Sequence, residues 1–214
     1  MTRPHTGRRA GVEGFTLVEL LIALSIVGAL LAIAFGGLRV GISAWNQGED
    51  RAEFQQHTRG LTQIVGRAVG GAYPYRGPLG EAPERRLLFH GTEDRVEFVT
   101  QTPPFPMDIP AAYTAVVIAI EDDAERGGRA LVVRQRILPN REPFTLAVVA
   151  LRDPAVRALQ LRYLGAEDAW QDSWDADTEA KLPQAIRIRF ATQRGATLEP
   201  SPPMTVSLRT TVSQ

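Results

Sequence analysis

Nineteen consecutive residues, 20–38, carry no charge, and Arg39 closes the run. At about 1.5 Å rise per residue, a helix of that length spans roughly 30 Å, the thickness of a bilayer's hydrocarbon core. Ahead of it, Arg3, Arg8 and Arg9 form a short basic leader, and one acid, Glu19, stands just inside the apolar segment. A secretory signal also starts basic, but its apolar core is shorter and a small-x-small cleavage site follows it. Here Ala32-Ile33-Ala34 lies inside the run. A plain membrane anchor leaves Glu19 unexplained, because a carboxylate at that depth costs on the order of a few kcal/mol unless paired. The basic leader places the N-terminus on the cytoplasmic side and the bulk of the chain outside; in a two-membrane bacterium that is the periplasm.

The residues bordering the run point to a third arrangement. Gly14-Phe15-Thr16-Leu17-Val18-Glu19 resembles the processing motif of the type IV prepilin-like family: Gly at the last leader position, Phe at the first mature position, Glu at the fifth. The resemblance implies that a prepilin peptidase cuts between Gly14 and Phe15 and methylates the new N-terminus, while the apolar helix stays on the mature protein. Glu19 is then the assembly residue. Cleavage leaves a cationic amine on Phe15, and a carboxylate four residues along the helix can meet the amine of a neighbouring subunit. Each charge is expensive alone in lipid, and paired they cost much less. The bland alternative is that Glu19 snorkels to the headgroups.

Removing the three arginines and one glutamate of residues 1–14 leaves 21 basic against 23 acidic side chains, a net charge of −2. No basic face marks a nucleic-acid partner. Leader and anchor aside, the remainder is one domain of ordinary size, large enough for a real core. The chain has no Cys, so no disulfide staples it; many type IV pilins close a C-terminal loop with one.

The expected organisation is a leader (1–14), a transmembrane helix (15–38), a periplasmic half of the same helix (39–71) and a β-rich periplasmic domain (72–214). No proline occurs between Pro4 and Pro74. Phe54, Leu61, Val65 and Ala68 recur on one helical face, and Gln47, Glu49, Asp50, Arg51, Gln55, Gln56, Arg59 and Gln63 supply the wet sides. One helix from 15 to about 69 is predicted, with a bend or melted turn in 36–48, where Gly36, Gly37, Gly41 and Gly48 each cost up to about 1 kcal/mol relative to Ala. Residues 74–85 read as a loop, and 102–112, with four prolines, as another. Strands are predicted over 86–90, 96–100, 115–120, 130–138, 144–151, 157–164 and around 186–190, with Val206, Leu208 and Val212 marking the last. Glu125-Arg126-Gly127-Gly128 turns one hairpin. One long helix followed by antiparallel strands is α+β, as in the pilin-like fold.

Tyr163-Leu164-Gly165, Trp170, Trp174, and Leu182-Pro183 ahead of Ala185-Ile186-Arg187-Ile188 resemble the J-type minor pseudopilins of type II secretion systems (general secretion pathway protein J). The resemblance implies a subunit near the tip of the periplasmic pseudopilus that helps to start its assembly. Its partners would be the I-type and K-type minor pseudopilins, the major pseudopilin and the prepilin peptidase, at the inner membrane. K-type subunits typically lack the acid at the fifth mature position, where this chain has Glu19. A minor pilin of a type IV pilus would share the whole N-terminus and is the nearest rival. Trp170 and Trp174, four apart, suit either core anchors buried against the sheet on one helical turn or tight loop, or contacts to a partner. Trp45 suits headgroups or a neighbouring helix.

Catalytic and metal patterns are missing from the sequence. His5 falls in the leader; His57 and His90 have no metal-spaced partner, and His57 is expected on the wet side of the helix. No GxSxG elbow or phosphate-binding glycine loop occurs. Glu121-Asp122-Asp123-Glu125 and Asp172, Asp175, Asp177 and Glu179 read as solvated turns ahead of calcium ligands, the second set lacking the glycine of a calcium loop. Neither a metal nor a cofactor is expected. A membrane-anchored periplasmic enzyme is the alternative from another class.

Overall fold

A computed structural model describes residues 15–81, 84–124, 127–165 and 167–208, without the side chains of 46, 47, 50 and 51. Gly14, the leader arginines, Glu125, Arg126 and Val212, and the side chains of Gln47, Asp50 and Arg51, lie outside that description. The chain divides into two compact units, with the boundary between Gln55 and Gln56.

The first unit holds most of α1 (Leu17–Gly70), a helix of 54 residues. Thr16 opens it: its hydroxyl and its carbonyl oxygen both accept from the Glu19 N–H, at 3.3 and 3.1 Å, which satisfies one of the donors that a helix start leaves unpaired. Residues 17–45 form a span long and apolar enough to cross a membrane, and none of it is buried. The melted turn expected in 36–48 is absent; α1 is helical throughout. The four glycines of residues 36–48 weaken the helix there, but none lacks the N–H that continues the hydrogen-bond ladder, and extending an existing helix is far cheaper than starting one.

In the second unit α1 becomes one-sided. Leu61, Val65, Ala68 and Val69 are buried, whereas Gln56, Arg59, Gln63 and Arg67 are exposed. Beyond Gly70 the chain turns directly into a sheet: the buried Thr100 hydroxyl donates to the Ala68 carbonyl at 2.8 Å, and the Tyr73 N–H donates to the Val99 carbonyl. One of the carbonyls orphaned by the helix end is thus satisfied by the sheet on which the helix packs.

Two large antiparallel sheets and a small one of two strands, β1 with β2, follow. The strands are β1 (Arg76–Pro78), β2 (Arg85–Leu87), β3 (Phe89–Gly91), β4 (Arg95–Thr100), β5 (Thr114–Asp122), β6 (Arg129–Ile137), β7 (Val148–Asp153), β8 (Val156–Leu164), β9 (Trp170–Gln171), β10 (Trp174–Asp175), β11 (Ala185–Arg194), β12 (Thr197–Pro200) and β13 (Met204–Ser207); α2 is Ala176–Glu179. The larger sheet has the order β10-β3-β4-β5-β6-β7, the smaller β12-β11-β8-β9 with β13 also on β11. All pairs are antiparallel.

β5 is the centre. Every residue from Thr114 to Ile120 is buried, as a continuous apolar run requires. Val116, Ile118 and Ile120 join a core with α1 and the inner residues of β8 and β11, Leu161, Tyr163, Ile186, Ile188 and Phe190 among them. Ala115, Val117 and Ala119, pointing the other way, join a second core under Leu138, Phe144 and Ala147. Gly91 is fixed by the first core: a Cβ there would overlap the ring of the fully buried Tyr163.

Several predicted boundaries move. Residues 74–85 are not all loop, since β1 pairs with β2. The strand expected at 86–90 is two, because the Leu88 N–H leaves the ladder for the Tyr75 carbonyl. Phe144 and Ala147 are not strand; they cap the second core from a turn, and β7 begins at Val148. β12 was not anticipated, and Leu208 is buried just after β13. The proline-rich loop is tied down by the buried Gln135, whose amide accepts from the Phe105 N–H and donates to the Phe105 carbonyl.

Candidate assembly surfaces

The predicted processing and assembly residues sit at the start of α1. Phe15, just ahead of the helix, is 78% exposed, and Glu19, four residues on, is exposed in the first turn. Gly14 lies outside the described residues.

Trp170 and Trp174 fall on different sheets. Trp174, on β10 beside β3, is buried, and its indole N–H donates to the Lys181 carbonyl at 3.0 Å. Trp170, on β9 beside β8, is half-exposed, with the Arg187 guanidinium 4.0 Å from its ring centroid. The reason lies in the register. Arg187 on β11 stands directly opposite Arg162 on β8, a like-charge pair that disfavours the pairing. β9 offsets it: Asp172 accepts from Arg162 Nε at 2.8 Å, the Trp170 carbonyl from Nη2 at 3.1 Å, and the indole face takes Arg187. The shared burial expected of the two rings on one turn therefore does not occur; they anchor the edges of two sheets.

His57 is on the exposed side of α1 as expected, yet its Nε2 lies 2.7 Å from Oδ2 of the buried Asp153. Asp153 also accepts from the Ala155 N–H at 3.0 Å. The pair ties the helix to the turn joining the two sheets. Ninety-six residues separate its members, so no local spacing announces it.

The acids expected to be solvated turns are largely used. Arg134 donates to both oxygens of Glu121, at 3.1 and 2.7 Å, and holds its carboxyl below the usual carboxylate range, against the opposing effect of burial. Asp123 is buried, and Asp175 caps α2 by accepting from the Asp177 N–H. Among the described residues, no three His, Cys, Asp or Glu side chains converge as a metal site would need.

Comparison with known proteins gives these surfaces their context. Residues 46–200 match the family described as Type II secretion system (T2SS), protein J, and residues 9–35 match the prokaryotic N-terminal methylation motif. The type II secretion system protein J of Xanthomonas campestris pv. campestris is 26% identical over 207 residues, covering 94% of each chain. The family match spans most of the second unit, and the motif match begins ahead of the apolar helix and runs well into it. With the protein J match over residues 46–200 and the methylation motif over residues 9–35, the chain belongs to the type II secretion system protein J family, the J-type minor pseudopilins.

Proposed function

We propose that this subunit is made as a precursor, cut between Gly14 and Phe15 on the cytoplasmic face, and then held in the inner membrane by residues 15–38 with its β-rich domain in the periplasm. There it joins the I-type and K-type minor pseudopilins near the tip of the pseudopilus and helps to start assembly ahead of the major pseudopilin. The observation that carries this reading is the coincidence of the protein J match with the methylation motif on one chain. Glu19 supplies the register. Its carboxylate in the first turn answers the Phe15 amine of a neighbour, and the pairing lowers the cost of holding both charges in lipid. The family is structural, so the work is positional: the domain presents surfaces, and the helix supplies the place in the filament.

One experiment tests both halves. Intact-mass measurement of the protein from membranes should show a chain beginning at N-methylated Phe15, and Gly14→Leu should leave the precursor uncut. Glu19→Val should still be processed and inserted, yet lose most of its crosslinking to the other minor pseudopilins. A mature start beyond residue 30, or unchanged crosslinking of Glu19→Val, would sink the reading.

A further inference from the structure

Of the seven large apolar side chains that the described residues of the second unit leave in water, four gather at the free edge of the larger sheet, among them the two most exposed. Val148 is 66% exposed, Ile109 64%, Leu146 53% and Val149 40%. Val148 and Val149 open β7, the last strand in its sheet; among the described residues no strand pairs with its outer side. Its inner side pairs with β6, with an irregularity where Ala150 is passed over. The charge that would guard such an edge, Arg152, stands beyond that irregularity. The stretch before it has no lysine or proline, the residues that blunt an exposed edge.

Beside this edge lies an open cavity of about 610 Å³, walled by Phe105, Met107, Ile109, Ile137, Val148 and Val149. The proline-rich loop supplies one wall and Gln135 holds that loop in place, so the cavity is built into the fold. Asp108 stands on its rim, exposed. Arg136 also lines it: Nη1 donates to the Leu146 carbonyl at 2.7 Å, while Nε is buried with no partner among the described residues.

We propose that the β7 edge over residues 148–150, with the adjoining cavity, docks an extended segment of another protein chain, apolar at alternate positions and carrying a cation beside Asp108. An open row of backbone donors and acceptors is satisfied by an extended backbone and not by a helix face or a lipid tail. Period-2 side chains on such a segment would drop one apolar group into the cavity and cover Val148 with the next. The carboxylate of Asp108 on the rim selects lysine or arginine at the neighbouring position by charge complementarity. This site stands on the sheet edge and the cavity, and does not depend on how the N-terminal helix assembles.

The test uses the full chain in phospholipid nanodiscs and a labelled peptide, Lys-Val-Thr-Ile-Thr-Val, read by fluorescence anisotropy and amide hydrogen exchange. The peptide should bind saturably and slow exchange at residues 148–150 by about tenfold, as added strand pairing predicts. Val148→Lys, exposed enough to leave the thermal unfolding midpoint unchanged, should weaken binding by about tenfold or more, and Asp108→Lys by a few-fold. A peptide of the same sequence with alternate backbone nitrogens methylated should not bind. No saturable binding, equal binding of the methylated peptide, or binding indifferent to Val148→Lys would each overturn the proposal. So would light scattering that finds the chain self-associated in the wild type and dispersed in Val148→Lys, because the edge would then serve a second copy.

Discussion

Along α1, residues 17–45 and residues 56–70 share a backbone conformation and little else. In the first stretch every described side chain is exposed, Leu, Ile and Val as much as Ser25 and Glu19. In the second, Leu61, Val65, Ala68 and Val69 are buried at spacings of four, three and one, and the remaining positions are half-buried or exposed. The first is apolar all round and has no preferred side, as suits a uniform lipid surround; the second is amphipathic, as suits one sheet face. Helical structure alone therefore says nothing about what a helix is for. The distribution of apolar residues around its axis does.

The sharpest way to break this comparison is to place one charge in each stretch. Val65→Asp should unfold the second unit, because an unpaired carboxylate in a dry core costs more than about 4 kcal/mol. Val27→Asp should leave that unit's thermal unfolding unchanged and instead weaken membrane insertion by about 2.5–3.5 kcal/mol. Circular dichroism melts of both variants, with carbonate extraction of the membranes, separate the outcomes. Equal loss of folding from both would erase the distinction between the two stretches.

A smaller effect is expected from glycines. An added Cβ at Gly36 meets nothing within 4 Å, whereas at Gly71, just past the end of the helix, it meets the Thr102 and Thr100 hydroxyls at 2.7 and 2.8 Å. Gly36→Ala should be neutral or slightly stabilising. Gly71→Ala should cost about 1–3 kcal/mol, since it crowds the Thr100 hydroxyl that satisfies the Ala68 carbonyl. Denaturant midpoints at constant slope would check this; a silent Gly71→Ala would mean that the helix end is not fixed by the sheet.

The smallest effect lies on the larger sheet, away from either stretch. Arg134 lowers the pKa of Glu121 in the fold. Its contribution is therefore fully present above the ordinary carboxylate value near 4.5 and is lost as pH falls through the lowered folded value. A partly exposed pair of this kind contributes about 0.2–1 kcal/mol. Glu121→Gln should be slightly less stable than the wild type at pH 7, and the gap should close toward pH 3. Melts of both proteins across that range test it; a gap that widens in acid would reverse the sign.

Much of this protein is legible in one dimension because its strongest signals are local. The uncharged run of 20–38, the motif Gly14 to Glu19 and the apolar run in β5 are each contained within one segment. So are the alternations Leu159-Leu161-Tyr163 and Ile186-Ile188-Phe190, whose residues all proved to be buried. Strand ends were less legible where a single backbone group changes partner, as at Leu88, or where apolar residues cap a core from a turn, as Phe144 and Ala147 do.

By itself, then, the sequence determined a helix long and apolar enough for a membrane, a β-rich remainder and a family, because length, period and motif spacing are properties of neighbours along the chain. Only the tertiary structure decided that His57 meets Asp153, that Trp170 screens an arginine pair while Trp174 fills a core, and that β7 ends its sheet with Val148 and Val149 uncovered. Those outcomes depend on strand order and register. Register is set by the sum of many side-chain fits across the sheets, and a shift of one residue would turn every side chain to the opposite face.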